Sequence, residues 1–131
     1  MSQENVEAFQ RAADAVCRGD AAAVAEMSHP DGVFEPLRAA TEGAFVGPAG
    51  MRRFLADTME TFDRFQVHYT EVRDLGDRVL AIGLLHVRGS GSGVETDIPT
   101  AVVAEYRDGL MWHYKDYGEA RLALEAVGLR G

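Results

Sequence analysis

Apolar residues recur every three to four positions in the first part of the chain, which predicts helices. The first helix begins near Ser2 and ends at Gly19, and Asp20 is suited to cap a second, shorter helix. Gly47-Pro48 indicates the start of a third helix, because proline is favoured in the first helical turn. The residues predicted to be buried are Val6, Phe9, Ala13, Val16, Cys17, Val24, Met27, Met51, Phe54, Leu55, Met59 and Phe62.

A short strand is predicted between the second and third helices. Pro30-Asp31-Gly32 is typical of a turn, and strand-forming residues follow it from Val33 to Leu37. Pro36 has no amide hydrogen to donate, so this strand is predicted at an edge of the sheet. Phe34 and Glu35 point to opposite faces, and the preferred assignment has Phe34 in the core and Glu35 in solvent. A strand that crosses a cavity mouth would reverse these roles.

From about residue 65 the pattern switches to the alternation of β-strands. Turns at Gly76-Asp77, at 89–93 and at Asp108-Gly109 divide this part into four strands, joined by hairpins in antiparallel order. The third strand is expected to bend or bulge near Pro99. A closing helix is predicted over 119–127.

Helices followed by strands indicate an α+β fold, with residues 1–131 as a single domain. A curved antiparallel sheet wrapped around three N-terminal helices, with a short C-terminal helix, forms a cone whose open end is a pocket. The strand from Arg78 to Arg88 is apolar on both faces, so both faces are expected to be covered. The prediction for the second face is a homodimer that packs sheet to sheet.

Composition excludes several classes of partner. The chain carries 13 Lys and Arg against 21 Asp and Glu, a net charge of −8, which disfavours nucleic acid and anionic membranes. Cys17 is the only cysteine, so a reducing compartment, the cytoplasm, is expected. The first residues lack the pattern of a signal peptide, so none is expected, and no apolar run approaches the roughly 18 residues of a membrane span. No closely spaced ligand set indicates a metal, and no cofactor is expected.

Several short motifs follow one another in a characteristic order. They are Asn5-Val-Glu-Ala-Phe, Arg18-Gly-Asp20, Gly47-Pro-Ala-Gly-Met-Arg-Arg-Phe54, Gly76-Asp-Arg-Val79, Gly91-Ser-Gly-Val-Glu95, Arg107-Asp-Gly109 and Glu119-Ala-Arg-Leu-Ala-Leu-Glu-Ala-Val-Gly-Leu129. In this order and spacing the chain resembles the nuclear transport factor 2-like superfamily and, within it, the SnoaL-like proteins. The resemblance covers nearly the whole chain, and it depends on the set of motifs because each is weak alone.

The resemblance implies a cone-shaped, usually dimeric α+β barrel that hosts polyketide cyclases, ketosteroid isomerases, limonene epoxide hydrolases, dehydratases and non-catalytic binders. The site must therefore decide the activity. Tyr114-Lys-Asp-Tyr117 is similar to the Trp-Arg-Asp-Tyr run of the epoxide hydrolase branch, which implies that Asp116 is a base. That branch has an Arg-x-Asp pair where this chain has Leu84-Leu85-His86, so epoxide opening by the same triad is not expected.

Asp116, His86 and Tyr114 form the catalytic hypothesis. A carboxylate among apolar groups has a raised pKa, and histidine titrates near pH ~6.5. We therefore expect Asp116 as the base, His86 as the proton relay and Tyr114 as the hydrogen-bond donor to an enolate oxygen. Isomerisation, cyclisation or dehydration of a small apolar carbonyl or hydroxyl compound would suit these roles. Further ligand contacts are expected from Trp112, Tyr69, Leu84, Phe54 and Asp97.

A structural interpretation of the same residues stays open. Asp116 ends a strand just before Gly118, where it would cap the closing helix or pair with Lys115, and His86 would lie on the dimer face. The chain would then be a non-catalytic ligand-binding or dimerisation module, with its cavity filled by Met and Phe side chains.

Overall fold

Three helices lie in the N-terminal half of the computed structural model, which describes residues 2–37 and 43–129. Helix α1 spans Ser2–Arg18, α2 spans Ala21–Glu26 and α3 spans Gly47–Thr61. Asp20 caps α2, as predicted, because its side chain accepts a 3.1 Å hydrogen bond from the amide of Ala23. The helical prediction for this part of the chain is confirmed.

The described strands form one curled sheet. Strands β1 (Ser28–Glu35) and β2 (Phe45–Val46) precede α3, and β3 (Phe62–Asp74), β4 (Arg78–Gly89), β5 (Glu95–Arg107) and β6 (Leu110–Asp116) follow it. Their order across the sheet is β2-β1-β6-β5-β4-β3, with β1 parallel to β6 and β3 to β6 forming an antiparallel meander. The α+β fold and its four-stranded meander are therefore as predicted.

The hairpin between β5 and β6 has the predicted turn. Asp108 and Gly109 have φ values of 54° and 78°, so both central positions lie in the left-handed region. After β6, helix α4 (Ala120–Ala126) closes the described fold, within the range expected for it. The sequence signals at this end of the chain were correct.

The first strand begins earlier than predicted and lies at a different place in the sheet. It begins at Ser28, and 30–32 lie inside it, where its register against β6 shifts. It is flanked by β2 and β6, so it is not an edge strand, and Pro36 follows the end of the strand, where a missing amide costs no strand pairing. Phe34 is buried as expected.

The expected interruption at Pro99 is wrong. Strand β5 keeps its register against β4, with Pro99 opposite Leu84. Since β6 ends at Asp116, opposite Val102, Pro99 lies beyond β6 and its missing N–H breaks no hydrogen bond between these strands. On the other side of β4, strand β3 has two register shifts, next to Asp63 and Thr70.

The main core lies between the helices and the inner face of the sheet. Two of the residues predicted to be buried in α3 differ: Met59 is 39% exposed, and Phe62 begins β3. A second cluster lies on the outer face, where Leu80 and Ala101 pack under Leu124 of α4. Part of the apolar outer face of β4 is therefore covered by the chain itself. None of the described helices is long and apolar enough to cross a membrane.

Candidate ligand-binding cavity

An apolar cavity of about 220 Å³ lies between the three N-terminal helices and the inner face of the sheet. Aromatic rings from the helices and from strands β1 and β3 line it. They include Phe9, Phe34, Phe54, Phe62, Phe65 and Tyr69. The volume is below the range of about 300–1,000 Å³ that is usual for drug-sized ligands, so the space suits a compact molecule.

Five polar side chains also line the cavity, and two of them are already satisfied. The hydroxyl of Ser28 donates to the carbonyl of Val24 at 3.0 Å, and that of Thr58 donates to the carbonyl of Phe54 at 2.8 Å. The three others are Tyr69, Tyr114 and Asp116. Within the described part of the chain no Lys, Arg or His lines the cavity, so its walls offer no cation to an anionic ligand.

Asp116 ends β6 with only 8% of its surface exposed. Its Oδ1 accepts hydrogen bonds from the amides of Ala101 (3.1 Å) and Gly118 (2.9 Å), and its Oδ2 accepts one from Oγ1 of Thr100 (2.5 Å). Burial raises the pKa of Asp116, and the three hydrogen bonds oppose this by stabilising the charged form. The result is a carboxyl group that holds its proton at higher pH than an exposed aspartate.

The phenol groups of Tyr69 and Tyr114 interact with each other in the wall of the cavity. Burial raises the pKa of both phenols, and the nearby carboxylate of Asp116 raises them further, so both stay protonated. Each phenol carries one O–H, and a hydrogen bond between the two phenols can use only one of these protons. At least one O–H is therefore free to donate to a ligand.

A bulge in β6 determines which side chains enter the cavity. Glu105 pairs with His113 but Tyr106 pairs with Met111, so Trp112 is an extra residue in β6. As a result Met111 lines the cavity, and Trp112, predicted as a ligand contact, does not. Its indole instead lies 4.8 Å from the ring of His29 and 3.9 Å from the guanidinium of Arg107. Strand alternation alone could not reveal this bulge.

A sequence model of the SnoaL-like domain matches residues 9–114. The chain belongs to the SnoaL-like domain family. A search among curated proteins finds no match for it.

Solved structures share the fold of this SnoaL-like protein at low sequence identity. TerC, co-crystallised with polyporic acid, is 22% identical with a TM-score of 0.77, covering 94% of this chain and 96% of TerC. A second structure is that of a hypothetical protein from Catenulispora acidiphila with a ketosteroid isomerase-like fold, in complex with trimethylamine. It is 19% identical with a TM-score of 0.77, and the match covers 98% of this chain and 95% of that protein. An LEH-like epoxide hydrolase from M. tuberculosis is 18% identical with a TM-score of 0.76, and the match covers 90% of this chain and 84% of that protein. These likenesses support the fold of the SnoaL-like protein.

The SnoaL-like fold does not bring His86 to Asp116. On β4 it is Leu85 and Val87 that line the cavity, so His86, between them, points to the outer face. There its Nδ1 lies 2.7 Å from Asp97 and its Nε2 lies 3.0 Å from Glu95, and these hydrogen bonds raise the pKa of His86. The expected proton relay is therefore not formed, and Asp97 does not line the cavity either.

The other sequence-predicted contacts of the SnoaL-like protein divide between the two faces. Tyr69, Tyr114 and Phe54 line the cavity together with Asp116. Leu84 lies two residues before His86 on β4, so its side chain points to the same outer face. It is 43% exposed there. Strand alternation separates these two sets correctly, but it does not say which set faces inward.

Sequence reasoning missed Thr100, which is 2% exposed and donates to the carboxylate of Asp116. The sequence signal was its spacing from Val102 and Ala104 on β5, because alternate residues of a strand point to the same face and these two are buried. Among the residues that the structure describes, no group of three or more His, Cys, Asp and Glu side chains is arranged to hold a metal ion.

Proposed function

We propose that this SnoaL-like protein binds a small, largely apolar molecule with a carbonyl or hydroxyl group and moves a proton on it without a cofactor. One observation carries the proposal: a buried carboxyl group and a phenol pair with a spare O–H share an otherwise apolar cavity. A proton acceptor and a hydrogen-bond donor are the two groups that enolisation needs.

In the proposed reaction Asp116 is the general base. Its carboxylate takes a proton from the carbon beside the ligand carbonyl, and the electron pair of that C–H bond moves toward the carbonyl oxygen. The free O–H of the Tyr69–Tyr114 pair donates to this oxygen while negative charge develops on it. The raised pKa of Asp116 brings its basicity closer to that needed near neutral pH.

The product depends on where the proton goes next. If protonated Asp116 returns it to another carbon of the enolate, a double bond is isomerised. If the enolate attacks a second carbonyl in the same molecule, a ring closes, and loss of a β-hydroxyl group with the returned proton gives dehydration. Cyclisation and isomerisation fit the family to which the chain belongs, and the same first step serves all three.

Hydrogen–deuterium exchange tests this step without knowledge of the natural substrate. Ketones of one and two rings, such as cyclohexanone and 2-tetralone, are incubated in D₂O, and NMR follows the loss of the protons beside the carbonyl. We expect the wild type to accelerate exchange for a ketone that it binds, and Asp116→Asn to slow it by about 100-fold or more. His86→Gln, on the outer face, is the matched control and should exchange like the wild type.

A second candidate is a non-catalytic binding module. It is favoured by the three hydrogen bonds to Asp116, since they also give the carboxylate a structural role at the end of β6. Bound ketone with no accelerated exchange in the wild type would support this candidate and reject the proton-transfer reaction. Exchange that survives in Asp116→Asn would reject Asp116 as the base.

We also propose a homodimer through the outer face of β4 and β5, beside the part covered by α4. Leu84 is 43% exposed there, opposite Pro99, and Ile82 is half-buried on the same face. Sedimentation velocity at micromolar concentration should give a dimer, and Leu84→Glu should give a monomer. A wild-type monomer under these conditions would contradict the proposal.

A further inference from the structure

The carboxylate of Asp116 has one hydrogen-bond acceptor position that the protein leaves open. An ionised carboxylate offers about four lone-pair positions, two on each oxygen. The amides of Ala101 and Gly118 take both positions on Oδ1, and the hydroxyl of Thr100 takes one on Oδ2. The open position is therefore on Oδ2.

We infer that Thr100 is a positioning residue that directs Oδ2 of Asp116, and not Oδ1, to the ligand in the cavity. This inference rests on the proposed function. The proton leaves the ligand C–H bond and forms an O–H bond on Oδ2, while Oδ1 stays hydrogen-bonded to the backbone. Because Thr100 is 2% exposed and pairs with Gly83 of β4, its hydroxyl has a fixed place beside the carboxylate.

The hydroxyl of Thr100 also favours the charged form of the base. A hydrogen bond to a carboxylate is broken or weakened when the carboxylate is protonated, so it lowers the pKa of Asp116 against the effect of burial. The two backbone donors are present whatever the side chains are. Thr100 is thus the donor through which the sequence adjusts how strongly Asp116 holds a proton.

The other groups that face this carboxylate are phenols. Tyr69 on β3 and Tyr114 on β6 interact electrostatically with Asp116, and burial keeps both protonated. Tyr106 on β5 and Cys17 on α1 interact with those phenols in turn. Among the described residues, the helices contribute no titratable side chain to the cavity lining. A change in the titration of Asp116 on removal of the Thr100 hydroxyl therefore reports their contact.

A single open acceptor also limits the ligand. An amidinium or guanidinium group binds a carboxylate through two parallel hydrogen bonds, one to each oxygen. With Oδ1 already saturated, Asp116 can accept only one. The ligand chemistry that fits is one acidic C–H or one O–H directed at Oδ2, with its oxygen acceptor toward Tyr69 and Tyr114.

NMR titration of ¹³C-labelled aspartate measures the protonation of Asp116 directly. In Thr100→Val, which keeps the shape of the side chain but lacks the hydroxyl, we expect the acid dissociation constant of Asp116 to fall about tenfold. Thr100→Ala removes the same hydroxyl with no risk of overpacking, and it provides the same test if the valine variant does not fold.

Two further variants separate the hydroxyl from packing. Thr100→Ser retains the donor and should restore the wild-type titration. Thr58→Val makes the same change at a second buried threonine, whose hydroxyl donates to the backbone of Phe54, and should leave the titration of Asp116 unchanged. A midpoint in Thr100→Val and Thr100→Ala equal to that of the wild type would overturn the inference.

The ketone exchange assay distinguishes this failure from failure of the proposed function. We expect the pH dependence of exchange in Thr100→Val to move with the titration of Asp116. No exchange by the wild type would reject the proton transfer and, with it, the role of Oδ2. Wild-type exchange together with an unmoved midpoint would reject Thr100 alone.

Discussion

Gly83 on β4 lies directly against the backbone of Tyr69 on β3. The two residues are partners in the strand pairing, next to the point where the register of β3 shifts. A Cβ atom on Gly83 would overlap the carbonyl oxygen of His68 and lie 2.7 Å from Cα of Tyr69. The sheet can therefore approach this closely only because residue 83 has no side chain, and that approach sets where the Tyr69 phenol enters the cavity.

Gly83→Ala is expected to destabilise the fold and displace Tyr69. Because the added carbon meets backbone and not a flexible side chain, we expect a loss of about 1–3 kcal/mol in the free energy of unfolding, measured with urea. Gly89→Ala on the same strand is the control, since its Cβ would meet only the exposed Ser92 hydroxyl. Equal losses in the two variants would contradict the argument.

The stability of the wild type relative to Asp116→Asn should fall as pH rises. The pKa of Asp116 is raised in the folded protein above the value of about 3.9 in an unfolded chain, so folding favours the protonated form. This contribution is fully present below the unfolded pKa and is lost as pH passes through the folded pKa. Urea unfolding of both proteins across this interval measures it, and a difference that grows with pH would show the opposite sign.

Phe54→Ala is expected to cost about 3–5 kcal/mol in the free energy of unfolding. The ring of Phe54 is 6% exposed and lies 4.6 Å from that of Phe34 and 5.7 Å from that of Phe45, so its loss enlarges the cavity. Met59→Ala in the same helix, at a side chain 39% exposed, should change stability by only about 0.5 kcal/mol. Comparable losses would mean that the lining of the cavity does not support the core.

Trp112→Phe should leave ligand affinity unchanged, whereas Tyr69→Phe should weaken it. Trp112 packs against His29 and Arg107 outside the cavity, but Tyr69 lines it and belongs to the phenol pair. Loss of one neutral hydrogen bond predicts about 2- to 10-fold weaker binding in Tyr69→Phe. Isothermal titration calorimetry with 2-tetralone measures the affinity of each variant. Weaker binding in Trp112→Phe would contradict the placement of the ligand in this cavity.

The fold could be predicted because its signals are local. The cap at Asp20, the proline at the start of α3 and the Asp108-Gly109 turn each depend on a few neighbouring residues. Their order along the chain then selects the α+β arrangement. The errors at Ser28 and Pro99 arose where pairing with a distant strand decides the outcome, which no local pattern records.

The site was only partly predictable, for a related reason. Strand alternation separates His86 from Leu85, but both faces of β4 are apolar, so the pattern does not identify the inner one. The alternation correctly predicts Tyr114 and Asp116 on one face, because both follow the bulge in β6. Trp112 is the extra residue of that bulge, so the alternation does not predict its face. The contact between Thr100 and Asp116 joins two strands and becomes visible only with their register.

The hydrogen bonds of Asp116 tie the end of β6 to the neighbouring strand and to the turn that leads into α4. The proposed chemistry and the architecture therefore share one side chain, and a substitution that changes the first at this position also loosens the second. Tyr69 and Tyr114 differ, because phenylalanine would keep their ring packing and remove only the hydroxyl. Attempts to redesign what the cavity does should begin with the two phenols and leave the carboxylate in place.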